Sequence, residues 1–412
     1  MGQIIPAIVS QHADEAGFVW TLRAKAVRAP HTCVGDLIRL DNRVEAHLDG
    51  LRVAGDAGWE IAEQQLEATP KAGETFAAGV LAAESGLPVR VASVVKAAGA
   101  SPKNPRAFIS ALGWLPPAAA MERVKPWFTS DVPLLRRIGV GAAAIHRRDP
   151  GPVLQQLCND MDFTVRARAL RAVGELGAGA HLPLLRKNFH HSDPACRFWA
   201  CWSGARLSDR GATAELQLIT QAEGPFRGRA ISVCLRQMEP AVVHRWLPTL
   251  AMLPGGKRLA IQGSGRFGDP SAMPQLLESM KDPQFARVAG EAFTFITGVD
   301  LDAEKLAGKK PEGFEAGPTD DPADENVAMD PDENLPWPDV EKVASWWEKN
   351  KGNFRPGQRL LLGKPIAIDW LREVLRTGKQ RQRAAAALEL ALREPNKPLF
   401  EVRAPGFRQK AI

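Results

Sequence analysis

An arginine returns about every thirty residues through the middle of the chain. Arg106, Arg136, Arg166, Arg197, Arg227, Arg258 and Arg287 are separated by 30, 30, 31, 30, 31 and 29 residues. Self-similarity at this period is the mark of a helical solenoid, in which each repeat is a helix pair that cannot bury its own apolar face and must stack on its neighbours. The ladder therefore predicts an all-α array that offers an extended surface to a partner.

The clearest unit is PVLQQLCND (152–160) followed by FTVRARALRAVGELG (163–177). In the second helix Val165, Ala169, Ala172, Val173 and Leu176 make one apolar face, and Phe163, Ala167 and Leu170 make another. Two such faces suit a helix held between its own partner and the next repeat. Asp162, Asp193 and Asp282 precede the periodic Arg166, Arg197 and Arg287. Each Asp can cap its helix, and an arginine one turn in can bond to a neighbouring turn, so the ladder is expected to be buried and structural. Gly174 and Gly177 recur as Gly265 and Gly268, which reads as helices ended by a left-handed residue.

The ends do not follow the repeat. Leu37, Leu40, Val44, Leu48 and Leu51 form one helical face within 36–54, and Trp59 to Glu67 resumes as a short helix. Residues 1–70 are expected to form an N-terminal helical cap, 71–298 the repeat array, 299–340 an acidic flexible insertion and 341–412 a C-terminal helical segment with a tail. The insertion rests on charge: residues 300–339 hold thirteen Asp or Glu against three Lys, in a chain of net charge +6. A segment so acidic, with few large apolar residues, predicts a mobile chain that can compete for a basic groove. Helical pattern returns at 341–350, 366–377 and 380–394, and the tail from Pro395 is expected to lie extended on the body through Leu399, Phe400 and Val402.

Aligning second helices on the ladder exposes a row of a different kind. Arg168, Arg171 and Glu175 share one stripe; one repeat on it reads Trp199, Trp202, Arg206, and two repeats on Arg229, Ser232, Arg236, with Arg266 beyond. On a concave face these side chains would make a groove of guanidinium groups around two indoles, suited to carboxylates, phosphates or a flat apolar group. The alternative is that both tryptophans pack between repeats while the arginines reach past them to water.

Catalytic signatures are lacking: there is no G-x-S-x-G, H-E-x-x-H or P-loop lysine motif. GSGRFG (263–268) matches G-x-G-x-x-G in letters, but it follows a helical stretch instead of a strand and aligns with the helix-ending glycines. His190, His191, Cys196 and Cys201 cluster, yet the cysteines are five apart on a predicted helix and face different ways, so no metal and no cofactor is expected. Five sparse cysteines, and no signal segment or apolar span, place the chain in the cytoplasm, away from membranes.

The Asp-then-Arg pattern resembles HEAT repeats, in particular those of phycobilisome lyase-like proteins. RVEAHLDGLRVAGDAGW (43–59), RQRAAAALELAL (381–392) and LFEVRAPGFRQ (399–409) resemble an uncharacterised bacterial HEAT-like family associated with type VI secretion gene clusters. The resemblance implies a non-catalytic protein-binding scaffold, an adaptor or chaperone-like accessory factor whose partner is a secretion spike or effector protein. Two alternatives stay open: a nucleic-acid-binding protein similar to HEAT-like alkylbase DNA glycosylases, and a bilin-lyase-like enzyme.

Overall fold

The computed structural model describes residues 4–317 and 329–409. Among them are 22 α-helices and one two-residue-per-strand hairpin, Leu360–Leu361 with Lys364–Pro365. The chain is an all-α, HEAT-like solenoid in two compact units. The first comprises residues 1–212 and 375–412, the second 213–374. One break falls inside the 71–298 stretch expected as a single array, and the other inside 341–412.

In the first unit the helices Pro6–Ala26, Ala72–Ser85, Asn104–Leu112, Pro133–Ile145, Phe163–Leu176 and Pro194–Arg206 stack side by side, each touching the next. Small residues allow the closest crossings. Gly17 and Gly73 bring two helix backbones so near that a Cβ on Gly73 would sit 2.7 Å from the Gly17 carbonyl oxygen. Trp20 stacks on Phe76 at 4.8 Å, and Trp114 meets Phe76 edge-on at 5.2 Å. The expected helices 36–54 and 59–67 form as Val34–Val53 and Asp56–Ala68.

The predicted caps form where the turn is short. Asp162 accepts from the Thr164 and Val165 amides, and Asp193 from the Cys196 amide at 2.8 Å. Asp282 instead caps a turn ahead of its helix, accepting from Gln284 N at 3.1 Å. Gly177 and Gly268, at φ 70 and 85, end their helices in the left-handed region. Gly174 and Gly265 do not: both lie inside helices, where a Cβ would strike Ser203 or Ala292 of the neighbouring helix, so they are packing glycines.

In the second unit the helices Arg227–Gln237, Gly256–Phe267 and Ala286–Thr297 stack side by side, each touching the next. Phe293, Ile296, Val288, Leu276 and Trp347 share one apolar core there. The hairpin covers two helix ends: Leu360 N donates to Gly268 O, while Leu362 N and Gly363 N donate to Phe295 O and Ile296 O. These are the orphan carbonyls that a helix C-terminus leaves behind.

The acidic segment is not loose over its described parts. Leu301, Leu306 and Leu335 are buried, Ala307 bridges to Pro338, and Gly308 N donates to Trp337 O at 2.7 Å. Three apolar anchors and a pair of arginine partners, described below, outweigh a composition that by itself reads as mobile. Residues 318–328 of the insertion, and 410–412 of the tail, lie outside the described residues.

Candidate binding edge

Five of the ladder arginines, Arg136, Arg166, Arg227, Arg258 and Arg287, bond to turns. Arg136 makes a two-toothed pair with Asp160 at 2.6 and 2.8 Å and donates to Ser130 O in its own turn. Arg166 donates to Asp160 O and Asn159 O and meets His191 at 2.8 Å. Arg227 joins Thr220 O to Pro254 O. For Arg258 and Arg287 the carboxylates come from the acidic segment: Arg258 pairs with Asp332, and Arg287 with Asp330 at 2.7 and 2.9 Å. Burial alone would raise the Asp330 carboxyl, but the bonds from Arg287 outweigh it and hold it below the ordinary carboxylate value. Arg106 and Arg197 are exposed, a correction to the expectation of a uniformly buried ladder. At Arg197 the turn begins with Asp193-Pro194 and the cap bonds are already made, so the arginine points outward.

The second row is a buried ion cluster instead of an open groove. Arg168 and Arg171 both pair with Glu175, at 2.9 and 2.8 Å, and the Glu175 side chain is 2 % exposed. Arg171 lies 4.5 Å over the Trp199 ring, and Trp199 meets Trp202 edge-on at 5.5 Å. Trp202 is buried and Trp199 half-buried. Arg206 is fully buried. Arg229, Arg236 and Arg266 belong to the second unit, where Arg229 is exposed and Arg236 donates to Ser232 O and Oγ at 2.6 and 2.9 Å. Arg266 is half-buried near the end of its helix.

The chain's own tail, residues 395–409, which we call the strap, meets this row at Arg206 and Glu175. It passes the C-terminal ends of helices Pro194–Arg206, Phe163–Leu176 and Pro133–Ile145 in reverse order before reaching the N-terminal helices. Arg206 donates to Pro395 O at 2.5 Å and to Lys397 O. Leu399 N donates to Glu175 O at 2.9 Å, and Arg147 donates from Nε to Leu399 O at 2.5 Å. Further along, Arg23 donates to Arg403 O and Ala404 O, and Gly406 N donates to Asp41 at 2.5 Å. Arg408 of the strap reaches Trp114 O and Leu115 O, past the end of helix Asn104–Leu112. The tail anticipated as extended is so only over 398–401, between turns at 395–397 and 402–403 and a helical turn at Gly406–Gln409, and it is held mainly through its main chain.

One strap side chain enters the ion cluster. Glu401 pairs with Arg403 at 2.7 Å and with Arg147 at 3.2 Å, and its side chain is 9 % exposed. Arg147 itself sits at φ 54, a left-handed turn that ends helix Pro133–Ile145 and sends its guanidinium across to the strap. Sequence reading missed Arg147, Glu401 and Arg403, since none falls on the thirty-residue period.

Burial alone would raise Glu175, but Arg168, Arg171 and Arg147 bring it down to about 2. Burial is likewise overcome at Glu401, first by Arg403, and its carboxyl lies well below the ordinary range. For a carboxylate lowered in the folded state, the stabilisation is complete above the unfolded value of about 4.3 and fades as pH falls toward the folded one. Hydrogen exchange along 395–409 is accordingly expected to accelerate between pH about 4.3 and 2; protection unchanged across that window would show that the two carboxylates do not hold the strap.

The G-x-G-x-x-G letters end helix Gly256–Phe267 instead of opening one, and their middle glycine is a packing contact. A Cβ at Gly265 would lie 2.6 Å from Ala292 Cα, which is backbone and cannot rotate away. Gly265→Val is expected to cost the second unit about 1–3 kcal/mol as overpacking. Gly228→Ala, whose Cβ would meet only a leucine methyl at 3.6 Å, serves as the control. Comparable exchange protection of helix Ala286–Thr297 in both variants would refute this packing role.

Residues 151–233 match the family of HEAT repeats. No curated protein matches the chain. Among the described residues there is no group of three or more His, Cys, Asp or Glu that could hold a metal ion, and the five cysteines are free thiols. No described helix is long and apolar enough to cross a membrane.

Proposed function

We propose that this chain is a non-catalytic protein-binding scaffold, an adaptor or chaperone-like accessory factor that works in the cytoplasm. HEAT repeats commonly form such scaffolds, and the observation that carries the reading is the strap. The helix ends of the first unit take up a segment without regular strand structure through guanidinium-to-carbonyl bonds from Arg206, Arg147 and Arg23. A surface that reads main-chain carbonyls accepts an extended segment without demanding one sequence, which is what an adaptor requires.

The assignment to type VI secretion, with a spike or effector protein as partner, rests on the resemblance of 43–59, 381–392 and 399–409. Affinity capture from the native host, followed by direct binding of the purified chain to a recovered spike protein, tests it. Direct binding supports the adaptor reading. Recovery of nucleic acid alone would replace it with the nucleic-acid alternative, in which Arg and Trp side chains meet phosphates and a displaced base. In that alternative Trp199, already covered by Arg171 on one face, would need its other face for the base.

A further inference from the structure

We propose that the strap is a place-holder, and that the edge it occupies is a receptor for an extended acidic segment of a partner protein. This deepens the scaffold reading and rests on it. The argument is electrostatic mismatch between the edge and its present occupant.

The helices present Arg147, Arg168, Arg171 and Arg206 to the strap, with Glu175 among them. The strap answers this positive edge with a positive segment: Lys397, Arg403 and Arg408 against Glu401 alone. Its one carboxylate is shared between Arg147 and its own Arg403. Nitrogens on three of the edge arginines, Arg168 Nη1, Arg171 Nε and Arg206 Nε, are buried without a hydrogen-bond partner. Burial and then the like charge of Arg147 lower Arg206 to about 10, the sign of a guanidinium whose partners are neutral carbonyls.

Apolar anchoring is also slight. Over the part that meets the edge arginines Leu399 and Phe400 are only half-buried, the buried Val402 and Pro405 lying further along, and Phe407 is 45 % exposed beside Trp114. The main-chain bonds that hold the strap are available to any extended segment. What the strap lacks is a carboxylate beside Arg206, and a segment that supplied one at the position of Lys397 would leave the Glu401–Arg403 pair intact and improve the charge balance. Its competitor is tethered, at an effective concentration of order millimolar, so the incoming segment must win by a real margin.

The test uses the full chain and two labelled synthetic peptides of residues 395–409, one native and one, the acidic peptide, carrying Lys397→Glu. The acidic peptide is expected to bind at least about tenfold more tightly at low salt, with the difference shrinking as salt rises and screens the contact. Hydrogen exchange in the chain's own 395–409 should accelerate on binding, because the strap is displaced. Arg206→Gln, which removes donors on the edge, should weaken the acidic peptide, with native protection of helix Ala72–Ser85 showing that the unit remains folded. Equal binding of the two peptides overturns the proposal, and so does binding that leaves strap exchange unchanged. Displacement by a single-stranded oligonucleotide but not by the acidic peptide overturns it too. A spike protein that binds the chain while the acidic peptide does not would sink this inference and leave the scaffold reading standing.

Discussion

Glu401→Gln is expected to destabilise the first unit by about 3–5 kcal/mol, the usual cost of removing one partner from a buried charge pair. The variant keeps the shape of the side chain but leaves Arg403 and Arg147 facing a neutral amide in a place where the carboxylate was 9 % exposed. The loss should be local. With two compact units a single unfolding midpoint is not a defined quantity, so exchange protection is followed segment by segment. Residues 395–409 and the helix end at Arg147 should lose protection, while helix Ala286–Thr297 of the second unit keeps it. Glu394→Gln removes an exposed pairing with Lys397 and is expected to cost under about 1 kcal/mol. If the two variants behave alike, Glu401 is not the strap's ionic anchor.

Arg287→Ala should have the next largest effect, about 3 kcal/mol on the second unit. Its guanidinium is buried, holds Asp330 with two bonds and Asp332 O with a third, and lies 4.6 Å over Trp337. Removing it strands Asp330 and frees the turn at 329–335. Arg197→Ala, at an exposed position of the same ladder, is expected to stay within about 0.5 kcal/mol. Equal urea sensitivity of the two variants, read by exchange in their respective units, would dissociate the thirty-residue period from any structural role.

The contrast between Arg287 and Arg197 shows what the sequence could and could not convey. The period is legible because every repeat must solve the same packing problem, and Arg136, Arg166 and Arg227 solve it with the same bonds between turns. Whether a given turn still needs the arginine depends on its other bonds, which periodicity does not register. The Arg168, Arg171, Trp199 and Trp202 row misled as a groove because charge at helical spacing looks like a solvated face. Its arginines turn instead to Glu175 and Trp199, and the strap that meets the row's end at Arg206 is bound largely through arginines and main-chain carbonyls, which leave almost no trace in side-chain pattern. The acidic segment misled by composition: three leucines and two arginine partners are enough to fix its described parts.

The strap also sets an order of events. Arg23 meets the carbonyl of Arg403, a separation of 380 residues, and Arg408 meets Trp114 across 294. Contacts between such distant points cannot form until residues 395–409 have left the ribosome, and long-range closure of this kind slows folding. The whole of 213–374 is made in the interval between the two parts of the first unit. At about 5–20 residues per second, that interval is roughly 8–30 s. During it, the nascent chain presents the helix ends at Arg147, Glu175 and Arg206 with their eventual occupant not yet synthesised. Every newly made copy thus passes through a window in which that edge is open, before the chain can close it upon itself.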